Sequence, residues 1–265
     1  MPTEFFMHLK AAKCDGVVKV SSYLDLSLIK KSGTRLVRAT NKLCYGHGKA
    51  SQLNRSLRIF SKIRRNRWRT GQDNHPTGKS FWFFSFPNQT AQIVQNCIDL
   101  RQKSKVLHRD LKDENILINT ADLSVKIIDF GCACEYKSSY SYATVAGTPE
   151  FFPPEIVRTQ NYSADALNAW SIGILVYILV QGDVPFDNDK MILKLKRTKV
   201  SKRIFQVYFA KNHFQYSEGN LSSQCVDLLN GCLTSEGMRL STHEILNCEW
   251  LKVTEWDLFF TVHTV

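Results

Sequence analysis

The chain has 265 residues, 35 Lys+Arg against 24 Asp+Glu, a formal charge of +11, and a composition that is 43% apolar and 22% charged. These proportions belong to a globular protein and exclude disordered, collagen-like and coiled-coil chains. The length allows one large domain or two lobes about a cleft, with a core that needs no covalent staples.

The opening MPTEFFMHLKAAK carries an early Glu4 and no apolar run of leader length. Charge is lopsided after it. Residues 1–107 hold 20 Lys+Arg and 5 Asp+Glu, a net of +15, whereas residues 108–265 sum to −4. The densest basic run, Arg55 to Arg69, reads as a solvated or irregular segment, because no nucleic-acid module pattern accompanies it. Neither nucleic-acid binding nor membrane association is expected. The eight cysteines are scattered without a CxxC pair. Cys132 and Cys134 are the only close pair, and nothing downstream completes a zinc site. Reduced thiols in a cytoplasmic protein, with a nuclear location also open, are therefore expected.

Ala91, Val94, Cys97 and Ile98 recur at helical spacing after Pro87-Asn88 and predict a helix ending near Lys103. The stretch VLHRDLKDENILIN and the later VKIIDFG carry the chemistry. Ile116, Leu117 and Ile118 form one short apolar run, and Val125, Ile127 and Ile128 form another. The turn residues Asn119-Thr120-Ala121-Asp122 separate them, so a small antiparallel hairpin is predicted. Such a hairpin sets Asn115, at the entry of one strand, beside Asp129, at the exit of the other. An amide oxygen next to a carboxylate suits a hard cation such as Mg²⁺. Asp110, five residues before Asn115, could face the same spot and accept a proton from a hydroxyl nucleophile. Lys112 would then lie near a transferring phosphoryl group and neutralise its charge. Further on, the apolar run from Trp170 to Val180 is shorter than the ~20 residues a membrane span needs and reads as a buried helix. Cys225 to Leu233 and Ser241 to Trp250 read as amphipathic helices whose apolar residues are core.

HRDLKDEN followed by DFG is similar to the catalytic and metal-binding loops of protein kinases. The Lys two residues after the Asp resembles the serine/threonine type. GTPEFFPPE at Gly147–Glu155 resembles the end of the activation segment, and Trp170-Ser171-Ile172-Gly173 the start of the large lobe's central helix. The similarity runs from about Gln89 to Trp250. It is narrower still in VLHRDLKDENILIN and ILVYILVQGDVPFDND, which resemble the PIM group of serine/threonine kinases. The resemblance implies ATP as phosphoryl donor with Mg²⁺, Asp110 as base, and Lys112 at the transferring group. Asn115 and Asp129 would be the metal ligands and Leu117 the floor of the adenine pocket. Thr148 would lie beside the substrate hydroxyl. Arg109 would face the activation segment, and Glu155 would pair with Arg239. It also implies protein substrates with basic Ser/Thr motifs, read by Asp113 and Glu114 and by the acids Asp183, Asp187 and Asp189.

The similarity stops short of the small lobe. Gly46-His47-Gly48 lacks the third glycine of a nucleotide loop. Gly78-Lys79-Ser80 lacks the P-loop spacing. Lys30 and Lys62 are formal candidates for the strand lysine without its flanking pattern. One reading makes Glu4 to Leu9 the regulatory helix, Gly16 to Val20 the next strand, and Glu4 a partner without its lysine. Asn168 stands where the family carries Asp. The expected architecture is α+β and protein-kinase-like, with residues 1–85 a degenerate or partial N-lobe, 86–252 a mainly helical C-lobe, and 253–265 a tail. The expected function is a monomeric serine/threonine protein kinase. The alternative is a pseudokinase or kinase-lobe fragment that acts by binding.

Overall fold

The hairpin forms where the two apolar runs predict it. The computed structural model describes residues 3–18, 20–24, 42–45, 57–59, 81–119, 122–181, 184–185 and 221–252. The sequence readings on Lys30, Lys62, Gly46 to Gly48, Gly78 to Ser80, Asp183, Asp187, Asp189 and the tail lie outside the described residues. The N-terminal part holds helix α1 (Thr3–Ala11) and strands β1 (Val20–Leu24), β2 (Lys42–Tyr45) and β3 (Leu57–Ile59), with β1 and β2 antiparallel. Then follow α2 (Phe81–Gln102), β4 (Val106–Leu107), β5 (Ile116–Asn119), β6 (Val125–Ile127), β7 (Cys134–Glu135) and β8 (Ser141–Tyr142). The chain continues with α3 (Pro154–Thr159), β9 (Tyr162–Ser163), α4 (Ala164–Gln181), α5 (Ser223–Cys232), α6 (Thr242–Leu246) and α7 (Glu249–Lys252).

Strands β5 and β6 pair antiparallel with Ile116 opposite Ile127 and Leu117 opposite Lys126. A third strand, β3, joins the free edge of β5, with Ile59 opposite Leu117. The basic run was read as irregular, yet its Leu57–Ile59 supplies that strand. The edge groups of β5 need backbone partners, and any short extended segment provides them. On the other side, the segment after α1 adds a parallel bridge from Val17 to Ile127. The Ile127 amide donates to the Gly16 carbonyl at 2.8 Å.

Helix α2 begins at Phe81, ahead of the predicted start after Pro87-Asn88, and Pro87 lies inside it. A mid-helix proline costs on the order of 3 kcal/mol. Burial of Phe86 in the core offsets part of this, since a fully buried apolar side chain contributes about 1.5–3 kcal/mol. Helix α4 is apolar on every side, which only a buried helix tolerates. By length and composition alone it could cross a membrane, but 83% of it is buried inside the protein. Around it pack Ile93, Val94 and Cys97 of α2, Leu228 and Leu229 of α5, and Ile245 of α6. Helix α6 starts with a capping box in which Ser241 accepts from the Glu244 amide and Glu244 returns to the Ser241 amide.

At Gly173 the helices α4 and α5 touch almost backbone to backbone. A Cβ there would come within 2.6 Å of Cys232 Cβ and 2.8 Å of Leu233 Cδ2. Gly173→Ala is expected to destabilise the protein by about 1–3 kcal/mol, as overpacking does. Urea denaturation measures it, and an unchanged midpoint contradicts the contact. Among the described residues the buried cysteines are free thiols, and burial pushes Cys97 and Cys225 each up to about 12.

Candidate active site

Three backbone turns in unusual geometry set the site. Arg109 and Asp129 both have φ of 65°, and Gly147 has φ of 116°. Non-glycine residues in the left-handed region cost energy and persist where surrounding contacts hold them. Here those contacts are visible. The Arg109 Nε donates to the Cys132 carbonyl at 2.6 Å and its guanidinium reaches the Thr144 carbonyl at 3.3 Å. The Asp129 carboxylate accepts from the Gly131 amide at 3.1 Å. A Cβ at Gly147 would lie 2.4 Å from the Arg109 carbonyl oxygen, so only glycine lets the segment pass that close.

Asp110, Lys112, Asn115 and Thr148 form one hydrogen-bonded cluster. Thr148 Oγ1 donates to Asp110 Oδ1 at 2.6 Å, and Lys112 Nζ donates to Thr148 Oγ1 at 2.7 Å. Lys112 Nζ is also 3.3 Å from Asp110 Oδ2 and 3.7 Å from Glu114 Oε2. The Asn115 amide nitrogen donates to the Asp110 carbonyl at 2.8 Å and to Asp110 Oδ2 at 3.1 Å. The amide oxygen of Asn115 is thereby turned away from Asp110. Burial alone would lower the Lys112 ammonium, but the charges of Asp110, Glu114 and Asp129 outweigh it and raise its pKa. Lys112 is thus held as a cation.

Asp129 follows Ile128, whose amide donates to the Asn115 carbonyl at 3.0 Å, so the hairpin brings the two residues side by side. Cys132 lies beside both carboxylates: burial raises its thiol first, and Asp110 and Asp129 raise it further. It is half-buried. The donor set fits a hard cation. Asn115 contributes an amide oxygen and Asp129 an exposed carboxylate, the pattern by which Mg²⁺ takes one or two protein oxygens and leaves its remaining positions to phosphate and water.

The other residues singled out by sequence divide. Leu117 is buried in β5, opposite Ile59 and Lys126. Glu114 is exposed beside Lys112, whereas Asp113, expected with it on the substrate face, is instead buried at 6% exposure in the short turn Asp113–Asn115. A turn of three residues per revolution sends adjacent side chains in different directions, and here Asp113 takes the inward one and Glu114 the outward one. Glu155 and Arg239 form a bidentate pair at 2.5 and 3.0 Å, and the guanidinium lies 4.9 Å over the Trp170 ring.

Two histidines gain roles that the motifs did not assign. The rings of His8 of α1, Phe130 and His108 meet in a row, with centroids 4.7 and 4.8 Å apart and planes inclined by 42° and 71°. His108 Nδ1 accepts from the Asp110 amide at 3.3 Å, so its Nε2 carries the proton donated to the Ile128 carbonyl at 3.0 Å. Glu4 sits one helical turn before His8, on the same face, against Gly131 and Asp129. Burial and then the Asp129 charge raise its pKa. The Glu4/His8 spacing of four is the sequence signal that the two share one face of α1.

Burial lowers both histidines from 6.5. The unfolded chain therefore takes up these protons first as pH falls. Their contribution to stability is present above 6.5 and is lost as pH drops below it. The urea midpoint is expected to fall from pH 7 toward pH 5, and less steeply in His8→Leu. Equal slopes in the two proteins would contradict the assignment.

With this geometry in place, comparison with known proteins is direct. The profile of the protein kinase domain matches residues 85–251. Serine/threonine-protein kinase pim-2 of Danio rerio is 35% identical over 173 residues, which is 65% of this chain and 48% of that protein. Protein kinase kin1 of Schizosaccharomyces pombe is 34% identical over 160 residues, 60% of this chain and 16% of that protein. The probable serine/threonine-protein kinase MARK-A of Dictyostelium discoideum is 30% identical over 175 residues, 66% and 15% respectively. The chain spans less than half the length of each of these relatives. The turns at Arg109, Asp129 and Gly147 and the profile describe one object: the chain belongs to the protein kinase domain family.

Proposed function

We propose that the protein transfers the γ-phosphoryl group of ATP to Ser or Thr hydroxyls of protein substrates, in the manner of the PIM group. The observation that carries this reading is the Asp110–Thr148–Lys112 cluster, in which a carboxylate and a cation meet on one hydroxyl. A substrate hydroxyl taking the place of Thr148 Oγ1 would present its proton to Asp110 and lie within reach of Lys112. Asn115 and Asp129 would hold a Mg²⁺, which supplies charge neutralisation at the phosphate oxygens. Exposed Glu114 favours Arg or Lys on the substrate, since acids at a groove rim attract basic side chains. A cytoplasmic monomer fits this reading.

A second reading, binding without turnover, draws on Glu4. Its carboxyl lies against Asp129, and no cation pairs with it among the described residues. Phosphotransfer from Mg-ATP to an Arg-rich Ser peptide separates the two. Turnover supports the first reading, while nucleotide binding without turnover supports the second. The substrate preference is tested on the same assay. Glu114→Gln is expected to cut the preference for the Arg-rich peptide over its Arg→Ala form by about 5–10-fold, the size of one lost charge-assisted contact. An unchanged ratio removes Glu114 from substrate recognition.

A further inference from the structure

Helix α1 is fixed from two sides. His8 Nε2 donates to the Val18 carbonyl at 2.7 Å, and Lys10 pairs with Glu135 of β7 at 2.9 Å. Phe5, His8 and Ala11 are its buried residues. Glu4, in the first turn, is thereby carried to the same small space as the Asp129 carboxylate. A Cβ at Gly131 would lie 3.1 Å from Asp129 Oδ1 and 4.0 Å from the Glu4 carboxyl carbon. Gly131 does not adopt the left-handed backbone of Gly147, so its conformation does not demand glycine. What the absent side chain keeps open is the gap between two carboxylates.

Like charges this close repel each other and call for a cation between them. No side chain among the described residues supplies one. Lys10 is held by Glu135, Lys112 by Asp110 and Thr148, and Arg109 by the carbonyls of Cys132 and Thr144. A second observation comes from Asn115, which is 4% exposed. Its amide nitrogen is taken by Asp110, and its amide oxygen accepts no hydrogen bond among the described residues. An oxygen on a side chain buried this far calls for a partner. The Ile128 amide, bonded to the Asn115 carbonyl, sets that side chain next to Asp129. The donors are thus two carboxylates and an amide oxygen. A single carbon beside Gly131 would already meet both carboxylates, which leaves no room for a guanidinium. A compact divalent ion with hard oxygen ligands fits.

We propose that Glu4 is a direct carboxylate ligand of a divalent cation, which it shares with Asp129 and Asn115. The proposal rests on the metal role given above to Asn115 and Asp129, and it adds the ligand that α1 brings. An ion held by one carboxylate depends on nucleotide phosphates to complete its shell. A second carboxylate lets the protein take up the ion before the nucleotide arrives. The ion also joins α1 to the loop of Asp129, so metal occupancy stabilises the docked helix.

The test is Mn²⁺ binding to the full chain without nucleotide, read from the loss of the free-ion EPR signal. Mn²⁺ shares the oxygen preference of Mg²⁺. The parent is expected to bind the ion, and Glu4→Gln, which keeps the size and removes the charge, to bind it at least about tenfold more weakly. Gly131→Ala keeps both charges, fills the gap and is expected to weaken binding to a similar degree. Urea denaturation adds a readout of opposite sign. Without metal, the Glu4→Gln midpoint is expected to match or exceed the parent's, because a repulsion is removed. Saturating Mn²⁺ is expected to raise the parent's midpoint and to leave the variant's nearly unchanged. If Glu4→Gln does not fold, Gly131→Ala decides. Asp129→Asn separates this proposal from the reading beneath it. Binding that Asp129→Asn weakens, and that Glu4→Gln and Gly131→Ala do not, leaves the Asn115–Asp129 pair standing and overturns the role of Glu4. Binding indifferent to all three changes, or no binding by the parent at millimolar Mn²⁺, overturns it too. Phosphotransfer from Mg-ATP, where the nucleotide brings its own ligands, then judges the activity independently.

Discussion

Asp110→Asn is expected to lower kcat on a Ser peptide by about 10²–10⁴-fold, the range a positioned base contributes. The shape of the cluster should survive. Asn keeps one oxygen for the Thr148 hydroxyl, whose present bond to Asp110 Oδ1 is 2.6 Å, and the Asn115 bond to the Asp110 backbone carbonyl at 2.8 Å is untouched. What disappears is the charged acceptor at Oδ2, which faces Lys112 at 3.3 Å and takes the second Asn115 amide bond at 3.1 Å. The stability loss should therefore stay near that of one charged hydrogen bond, about 1.5–3 kcal/mol. A single-turnover assay with denaturation on the same samples checks both numbers. Turnover that survives the substitution takes Asp110 out of the chemistry. Unfolding would instead show that the residue holds the loop together, and the milder Thr148→Ala variant would then probe the hydroxyl alone.

The largest effect on stability is expected at Arg239. Its guanidinium satisfies Glu155 twice, the Ala166 carbonyl at 2.9 Å and the Thr234 carbonyl at 2.8 Å, and its side chain is fully buried. Arg239→Ala strands the Glu155 carboxylate in the core, at a cost of about 3–5 kcal/mol. Replacing both partners together, as Glu155→Gln/Arg239→Met, is expected to lose less than the single change, because no buried charge is left uncompensated. The double-mutant comparison by urea denaturation is decisive. A single variant that loses under about 1 kcal/mol would mean that the pair is dispensable. The pair also ties the end of the segment holding Thr148 to the helix start at Ala166, so the Asp110–Thr148 cluster and the core share this anchor.

The hairpin was legible because its signals are local. Two short apolar runs and a turn fix the antiparallel pairing, and pairing alone brings Asn115 beside Asp129. Glu155 and Arg239 are 84 positions apart, and only the family resemblance joined them in advance. Asp113 shows the limit of proximity in sequence: it neighbours Glu114, but the turn buries it. The early start of α2 was hidden because propensity argues against Pro87, and tertiary burial of Phe86 overrides a local preference. The third strand at Leu57–Ile59 was hidden in a basic run that has no alternation, since a strand recruited to a waiting edge needs only backbone groups.

By itself the amino-acid order determined the family and the hairpin that sets Asn115 beside Asp129, because each depends on a few residues close along the chain whose chemistry is carried by residue type. Which side of α1 faces inward, the row His8–Phe130–His108 and the placement of Glu4 against Asp129 were decided only in three dimensions. They join segments tens to over a hundred residues apart, and no local rule of spacing records which distant surfaces the core will press together.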